Sequence, residues 1–125
     1  MALTMIMGII LNDFSNVALQ IVNLGGTIPF IIERIRAVAD SRDLIFSEDR
    51  LRRMVYDTVS LGPVAIEAAV LLLGADRLML GTDYPIFQPD NPLIAISQAA
   101  VREVDRVLIL EVTAKSLLQR LGMMS

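Results

Sequence analysis

The apolar and polar positions in the first half of the chain follow two periods, one typical of strands and one typical of helices. Residues 3 to 14 predict a first helix, and the apolar, β-branched run Val17 to Val22 predicts a strand. Gly25-Gly26 predicts a turn, and Thr27 predicts the N-cap of a second helix that ends near Asp40-Ser41. Apolar residues recur at helical spacing within this helix, at Ile28, Ile31, Ile32, Ile35 and Val38.

The same alternation continues through the middle of the chain. Ser47 predicts the start of a short helix that runs through Arg53, and Met54 to Val59 predicts the next strand. Pro63 fits the first turn of a helix that ends at Leu73, with Gly74 as its C-cap. Asp76 to Leu80 then leads into a third strand.

The C-terminal third predicts helices. Pro85 to Pro92 predicts a loop, after which Asp90 or Asn91 caps a helix that runs to about Arg102. Asp105 to the end predicts one broken helix or two short ones. By propensity alone, Val107 to Leu110 also fits a strand, although its place after the third strand favours a helix.

Strands that alternate with helices are typical of right-handed βαβ units and a parallel sheet, so we expect one α/β domain over residues 1–125. Three parallel strands cannot close into a barrel. We therefore expect an open sheet, an exchange of segments with a neighbour, or completion by oligomerisation.

Hydrophobic content, net charge and the lack of cysteine exclude several classes of function. Hydrophobic residues make up 54% of the chain and the mean hydropathy is +0.60, so an isolated domain of this kind would expose apolar surface and self-associate. The net charge of −3, with interspersed signs, argues against a nucleic-acid partner. The absence of cysteine excludes disulfides and thiolate chemistry, and it fits a cytoplasmic protein. The apolar run Met1 to Leu11 lacks a basic flank and is too short to span a membrane.

The segment Leu80-Gly81-Thr82-Asp83-Tyr84-Pro85 places an acid just beyond the third strand. Functional side chains collect at the carboxyl ends of parallel strands, so Asp83 is a candidate metal ligand or general base. The alternative is a turn aspartate that caps its own backbone. Tyr84 and Phe87 would line a pocket beside it or pack against a partner chain.

Three sequence blocks resemble the amidohydrolase-2 family, which includes aminocarboxymuconate-semialdehyde decarboxylase-like enzymes. The first is the Gly81-to-Pro85 segment, similar to the family's Gly-Thr-Asp-Tyr-Pro. The second is Asn23 to Phe30, similar to His-Leu-Gly-Gly-x-x-Pro-Phe. The third is Tyr56-Asp57-Thr58 followed by Gly62-Pro63 and an apolar helix. The order and spacing of the blocks agree with the C-terminal part of such enzymes.

The resemblance implies three βα units equivalent to the last strands of a (β/α)8 barrel. It also implies one divalent metal, often zinc, which serves hydrolysis or decarboxylation of a small carboxylate-bearing substrate. In the family, histidines and the acid matching Asp83 hold this metal. This chain has no histidine, and Asn23 and Leu61 stand where relatives carry one. The resemblance therefore leaves Asp83 as catalytic residue and metal ligand, with Asn23 as a weak second ligand and Asp57 as a further oxygen.

Two hypotheses follow. In the first, the chain is part of a metal-dependent hydrolase or decarboxylase that works only when a homo-oligomer or a complementing chain completes it. In the second, it is a non-enzymatic structural or interaction protein. The Gly25-Gly26-Thr27 turn also resembles a phosphate-binding turn, but without the lysine of a P-loop a plain tight turn is favoured. Arg34 and Arg36 are expected on a solvated helix face.

Overall fold

The computed structural model of the chain describes residues 10–14, 16–41, 46, 48–59 and 62–124. Three strands form one parallel sheet in chain order: β1 (Leu19–Ile21), β2 (Met54–Asp57) and β3 (Leu78–Met79). Leu19 is paired with Met54, and Tyr56 is paired with Leu78. The predicted α/β class with a parallel sheet is therefore confirmed.

Helices connect the strands and follow them to the C-terminus. Those in the described residues are α1 (Ile10–Asp13), α2 (Ile28–Ser41), α3 (Glu48–Arg52), α4 (Pro63–Leu73), α5 (Asp90–Gln98), α6 (Glu103–Val107) and α7 (Thr113–Arg120). A π-helical segment, Leu108–Val112, joins α6 to α7, so Val107 to Leu110 is helical rather than extended. Among these helices, none combines the length and the apolar character that crossing a bilayer requires.

Each strand is shorter than its apolar run predicts. The strand predicted over Val17 to Val22 is limited to β1. At its C-terminal end the chain turns away, because Asn23 and Leu24 adopt φ of 54° and 52°, outside the β region. A 3₁₀ turn at Ala75–Arg77 delays β3 in the same way. The predictions for residues 1–9 and for Ser47 lie outside the described part of the chain.

Two helix predictions need correction. The buried stripe of α2 consists of Ile28, Ile32, Ile35 and Ala39, whereas Val38 is 39% exposed because it lies one position off that stripe. Helix α5 begins at Asp90 with Pro89 as its N-cap and has no side-chain cap, so the predicted capping role of Asp90 or Asn91 is wrong. It also ends at Gln98 rather than near Arg102, because Ala99 is extended with ψ of 137°.

The hydrophobic core lies between the sheet and the helices. Its largest fully buried apolar side chains are Tyr56, Ile32, Met54, Ile66, Leu78, Ile96 and Ile109. Ile109 belongs to the π-helical segment, and its carbonyl oxygen accepts a hydrogen bond from the Leu80 N–H at 3.0 Å. This bond fastens the C-terminal helices to the end of β3.

Arg106 closes the C-terminal end of α5. Its Nε donates to the Ile96 carbonyl at 3.2 Å, its Nη2 donates to the Ala99 carbonyl at 2.6 Å, and its Nη1 pairs with Glu103 at 3.1 Å. The last carbonyls of a helix have no partner within the helix, so these bonds satisfy groups that would otherwise need water.

Replacing Arg106 by methionine is expected to lower the free energy of unfolding by about 1–2 kcal/mol, because two carbonyls lose a charged donor. The matched control is Lys115→Met, since Lys115 pairs only with the exposed Glu111 in the described region; its cost is expected to stay below about 0.5 kcal/mol. Urea unfolding followed by circular dichroism measures both variants. Equal midpoints for the two variants would contradict the capping role of Arg106.

Candidate functional site

The carboxyl ends of the three strands bring polar residues from distant parts of the sequence to one edge of the sheet. Asn23 follows β1, Asp57 is the last residue of β2, and Asp83 lies four residues beyond β3. Because the strands are parallel, all three segments leave the sheet at the same edge. This is the edge where parallel α/β proteins place functional side chains.

Asp57 is the most strongly held polar group at this edge. Its side chain is buried, at 2% exposure. Its Oδ1 accepts the Asn23 N–H at 2.9 Å and the Val59 N–H at 3.3 Å, and its Oδ2 accepts the Gln20 Nε2–H at 3.0 Å. Both oxygens are therefore engaged by the protein. The sequence hypothesis that Asp57 offers a free oxygen to a metal does not match this arrangement.

Asn23 takes part in the site through its backbone rather than its side chain. Its N–H donates to Asp57, and its φ of 54° begins the 3₁₀ turn Asn23–Gly25. The side chain is exposed. The carboxyamide predicted as a weak metal ligand thus lies on the surface beside the edge, while the backbone of the same residue joins β1 to β2.

The backbone N–H groups of the Gly25-Gly26 turn form hydrogen bonds with nearby carbonyl groups of the same turn. The Gly25 N–H bonds to the Val22 carbonyl at 3.0 Å, and the Gly26 N–H bonds to the Asn23 carbonyl at 2.8 Å. A Cβ atom at Gly25 would lie 3.1 Å from the Tyr56 ring. These contacts favour the tight turn over the phosphate-binding alternative, because the N–H groups that would bind a phosphate are already bonded.

Gly81 lets the backbone after β3 pass directly over the Asp57 side chain. A Cβ atom there would lie 2.8 Å from the Asp57 Cβ and 2.7 Å from the Val59 Cγ2. The Gly81 N–H also points at the hydroxyl of the buried Thr58, at 3.4 Å. The close backbone approach predicted for Gly81 is present, and it sets where the following residues emerge.

Asp83 emerges as an exposed residue with φ of 55°. Its main-chain carbonyl accepts the Ile86 N–H at 2.8 Å and the Phe87 N–H at 3.4 Å, while the Thr82 hydroxyl accepts the Tyr84 N–H at 3.4 Å. No described residue donates to the Asp83 carboxylate. The turn is therefore built on the carbonyl, and the capping carboxylate considered for Asp83 is not what stabilises it.

The two aromatic residues of this loop also face outwards. Tyr84 is 69% exposed and Phe87 is 41% exposed. Neither side chain is buried against the described residues, so both are accessible to a partner surface or to a substrate.

The residues at this edge do not by themselves fit a divalent metal. A catalytic site of this type needs about three protein ligands. Within the part of the chain that the structure describes, no three histidine, cysteine or acidic side chains are grouped so that they could hold an ion. Asp83 offers one carboxylate, whereas both oxygens of Asp57 are already bonded to protein donors.

Comparisons with known proteins give matches at the level of structure. No family model matches the sequence, and none of the curated proteins matches it. Solved structures do match. Similar structures, with TM-score and sequence identity in parentheses, include 2,6-dihydroxybenzoate decarboxylase from Rhizobium (0.83, 20%), dihydroxybenzoic acid decarboxylase from Polaromonas sp. JS666 with bound manganese (0.79, 19%) and 4-oxalomesaconate hydratase from Rhodopseudomonas palustris (0.80, 19%).

The matches cover 94%, 94% and 96% of this chain, but the chain spans only 39%, 38% and 40% of those proteins. At these identities the likeness shows the fold. The neighbours are amidohydrolase-2 family enzymes, so the resemblance predicted from the three sequence blocks is confirmed. The chain shares the fold of a segment of these barrel enzymes that makes up about two fifths of their length.

Proposed function

We propose that this chain supplies the C-terminal βα units of an amidohydrolase-2-type, metal-dependent hydrolase or decarboxylase that acts on a small carboxylate-bearing substrate. The observation that carries the proposal is the position of Asp83. Its carboxylate is exposed beyond the carboxyl end of β3 and accepts no hydrogen bond from a described residue, in a fold that matches decarboxylases. Such a carboxylate is open to an ion or a reacting group.

The chain supplies too few metal ligands for the proposed activity, so other ligands are required. Asp83 provides one carboxylate and a second copy adds only the same residues, so the remaining ligands have to come from a complementing chain that supplies the rest of a barrel. The manganese bound in the Polaromonas decarboxylase supports a divalent ion; zinc is proposed from the sequence resemblance alone.

Exposed apolar side chains support an assembly of this kind. Phe30 is 71% exposed, Val64 is 74% exposed, Leu71 is 84% exposed and Ile86 is 72% exposed. Covering them would remove apolar surface from water. The same surfaces favour the second candidate function, a non-enzymatic protein that self-assembles. A cytoplasmic location is part of the proposal and rests on the absence of cysteine.

The role of Asp83 can be tested directly with paramagnetic Mn²⁺. Weak binding at Asp83 is expected to broaden the backbone NMR signals of residues 81–87, because Mn²⁺ prefers carboxylate oxygens. Asp83→Asn should abolish this broadening, whereas Asp90→Asn, which changes an exposed acid on the following helix, should leave it in place. Broadening that persists in Asp83→Asn would contradict the assignment of Asp83 as a ligand.

The same purified protein also tests whether the chain needs another chain in order to be active. We expect an oligomer by light scattering, less than one metal per chain, and no CO₂ release from 2,6-dihydroxybenzoate, the ligand of one structural neighbour. Manganese-dependent CO₂ release that disappears in Asp83→Asn would replace the proposal by an autonomous enzyme. A monomer would exclude the self-assembling alternative.

A further inference from the structure

A cavity of about 260 Å³ lies between α2, α4 and β2, close to the starts of β2 and β3. Arg36 of α2 lines it, together with Arg52 and Arg77, which shortly precede β2 and β3. It is thus at the amino ends of the strands, whereas Asp57 and Asp83 are at their carboxyl ends. The proposed function makes no use of this cavity.

The cavity is rich in positive charge. Its described lining contains three guanidinium groups and one carboxylate, that of Asp76. Asp76 lies 3.4 Å from the Arg77 Nε, but its side chain is 61% exposed, and such solvent-exposed pairs are weak. Arg36, predicted on a solvated face, is instead partly buried, and its guanidinium lies 5.6 Å from the Phe46 ring centroid. The ring helps to fix the position of that charge.

Tyr56 belongs to the wall of the same cavity. Its side chain is fully buried, and the acceptor found for its hydroxyl in the described residues is the Met54 sulfur at 3.7 Å. Thioether sulfur is a weak acceptor, whereas buried tyrosine hydroxyls usually have a strong one. Burial raises the pKa of Tyr56 to about 12, and the neighbouring Arg77 charge acts against that rise. The hydroxyl therefore keeps its proton at neutral pH, and it stays behind the cavity surface because the side chain is fully buried.

We propose that this cavity binds a small oxyanion of the phosphate type, with the Arg77 and Arg52 guanidinium groups as donors. Guanidinium groups match phosphate oxygens in geometry as well as in charge. The cavity volume of about 260 Å³ suits a small oxyanion. It is several times the roughly 30 Å³ of one water and lies below the pockets of about 300–1,000 Å³ that hold drug-sized ligands.

Isothermal titration calorimetry with inorganic phosphate tests the proposal on the full chain, with chloride balancing the ionic strength. We expect saturable binding with a Kd of about 1 mM or lower. Arg77→Gln should weaken it about tenfold, the effect of one lost donor. The matched control Arg34→Gln, on the exposed face of α2 two residues from Arg36, should leave the Kd unchanged. Arg52→Gln, at an exposed position, provides a second test if Arg77→Gln fails to fold.

A second titration with a phosphomonoester, glucose 6-phosphate, distinguishes free phosphate from a phosphate group carried by a larger molecule. Binding of both supports the proposal and identifies the group as the recognised part. Binding of inorganic phosphate alone supports it with the free ion as ligand. No saturable binding of either probe would overturn the proposal, and so would an equal loss of affinity in Arg34→Gln, because the attraction would then be diffuse.

Discussion

Replacing Asp57 by alanine is expected to lower the free energy of unfolding by about 3–4 kcal/mol, because three donors lose their acceptor at once. These donors are the Gln20 side chain and the N–H groups of Asn23 and Val59. The Asn23 and Gln20 bonds join the ends of β1 and β2 across 34 and 37 residues of sequence. Urea unfolding and the loss of the β1–β2 amide protection in hydrogen exchange measure the effect.

Asp57→Asn separates the contribution of hydrogen bonding from that of charge. Its amide oxygen still accepts the two backbone N–H groups, and a flipped Gln20 amide offers its oxygen to the new NH₂ group. The expected cost is therefore smaller, about 1–2 kcal/mol. Asp40→Ala, an exposed acid in the last turn of α2, should be nearly neutral. An Asp57→Ala variant as stable as Asp40→Ala would refute the linking role of Asp57.

Gly81→Ala is the second change with a large expected effect, a loss of about 2–3 kcal/mol of stability from overpacking. The new Cβ would lie 2.7 Å from the Val59 Cγ2 and 2.8 Å from the Asp57 Cβ, both shorter than side-chain contacts tolerate. The Asp57 side chain cannot easily move away, because three hydrogen bonds hold it. Thermal unfolding measured by calorimetry should show a clearly lower Tm.

The control for Gly81→Ala is Gly62→Ala, because a Cβ at Gly62 meets no atom within 4 Å and its φ of −74° suits any residue. Its cost should remain within about 1 kcal/mol, the range of a helix N-cap change. Adding Val59→Ala to Gly81→Ala should restore only part of the lost stability, since the contact with the Asp57 Cβ remains. Full restoration would show that Asp57 is free to move.

The elements that depend on local sequence were predictable. Pro63 and Gly74 bound α4 as the sequence predicts, since proline suits a first turn and Gly74 adopts φ of 90°. The strand ends were harder to predict. Apolar runs show where a strand is possible, but the left-handed backbone at Asn23 and Leu24 ends β1 early for a reason that lies in the turn.

The position of the candidate site was predictable from the sequence, but the hydrogen bonds within it were not. Strand order and the acid after the third strand located Asp83 at the carboxyl edge of the sheet. The engagement of Asp57 was missed because two of its donors, on Gln20 and Asn23, are more than 30 residues away in sequence, and the third is the backbone N–H of Val59. The cavity around Tyr56 was missed for a similar reason, since Arg36, Arg52 and Arg77 come from three separate segments.

The hydrogen bond from the Leu80 N–H to the Ile109 carbonyl makes the two sides of the sheet unequal. The Met79 carbonyl accepts the Thr58 N–H on the side of β2, so the neighbouring Leu80 N–H faces the opposite side, where the C-terminal helices already use it. On the outer side of β1, no described strand is paired. Among the edges of the described sheet, we therefore expect any strand addition between copies at β1 rather than at β3. Joining β1 to β1 gives a two-fold symmetric pair that stops at two subunits, whereas two equivalent open edges would permit head-to-tail growth into filaments.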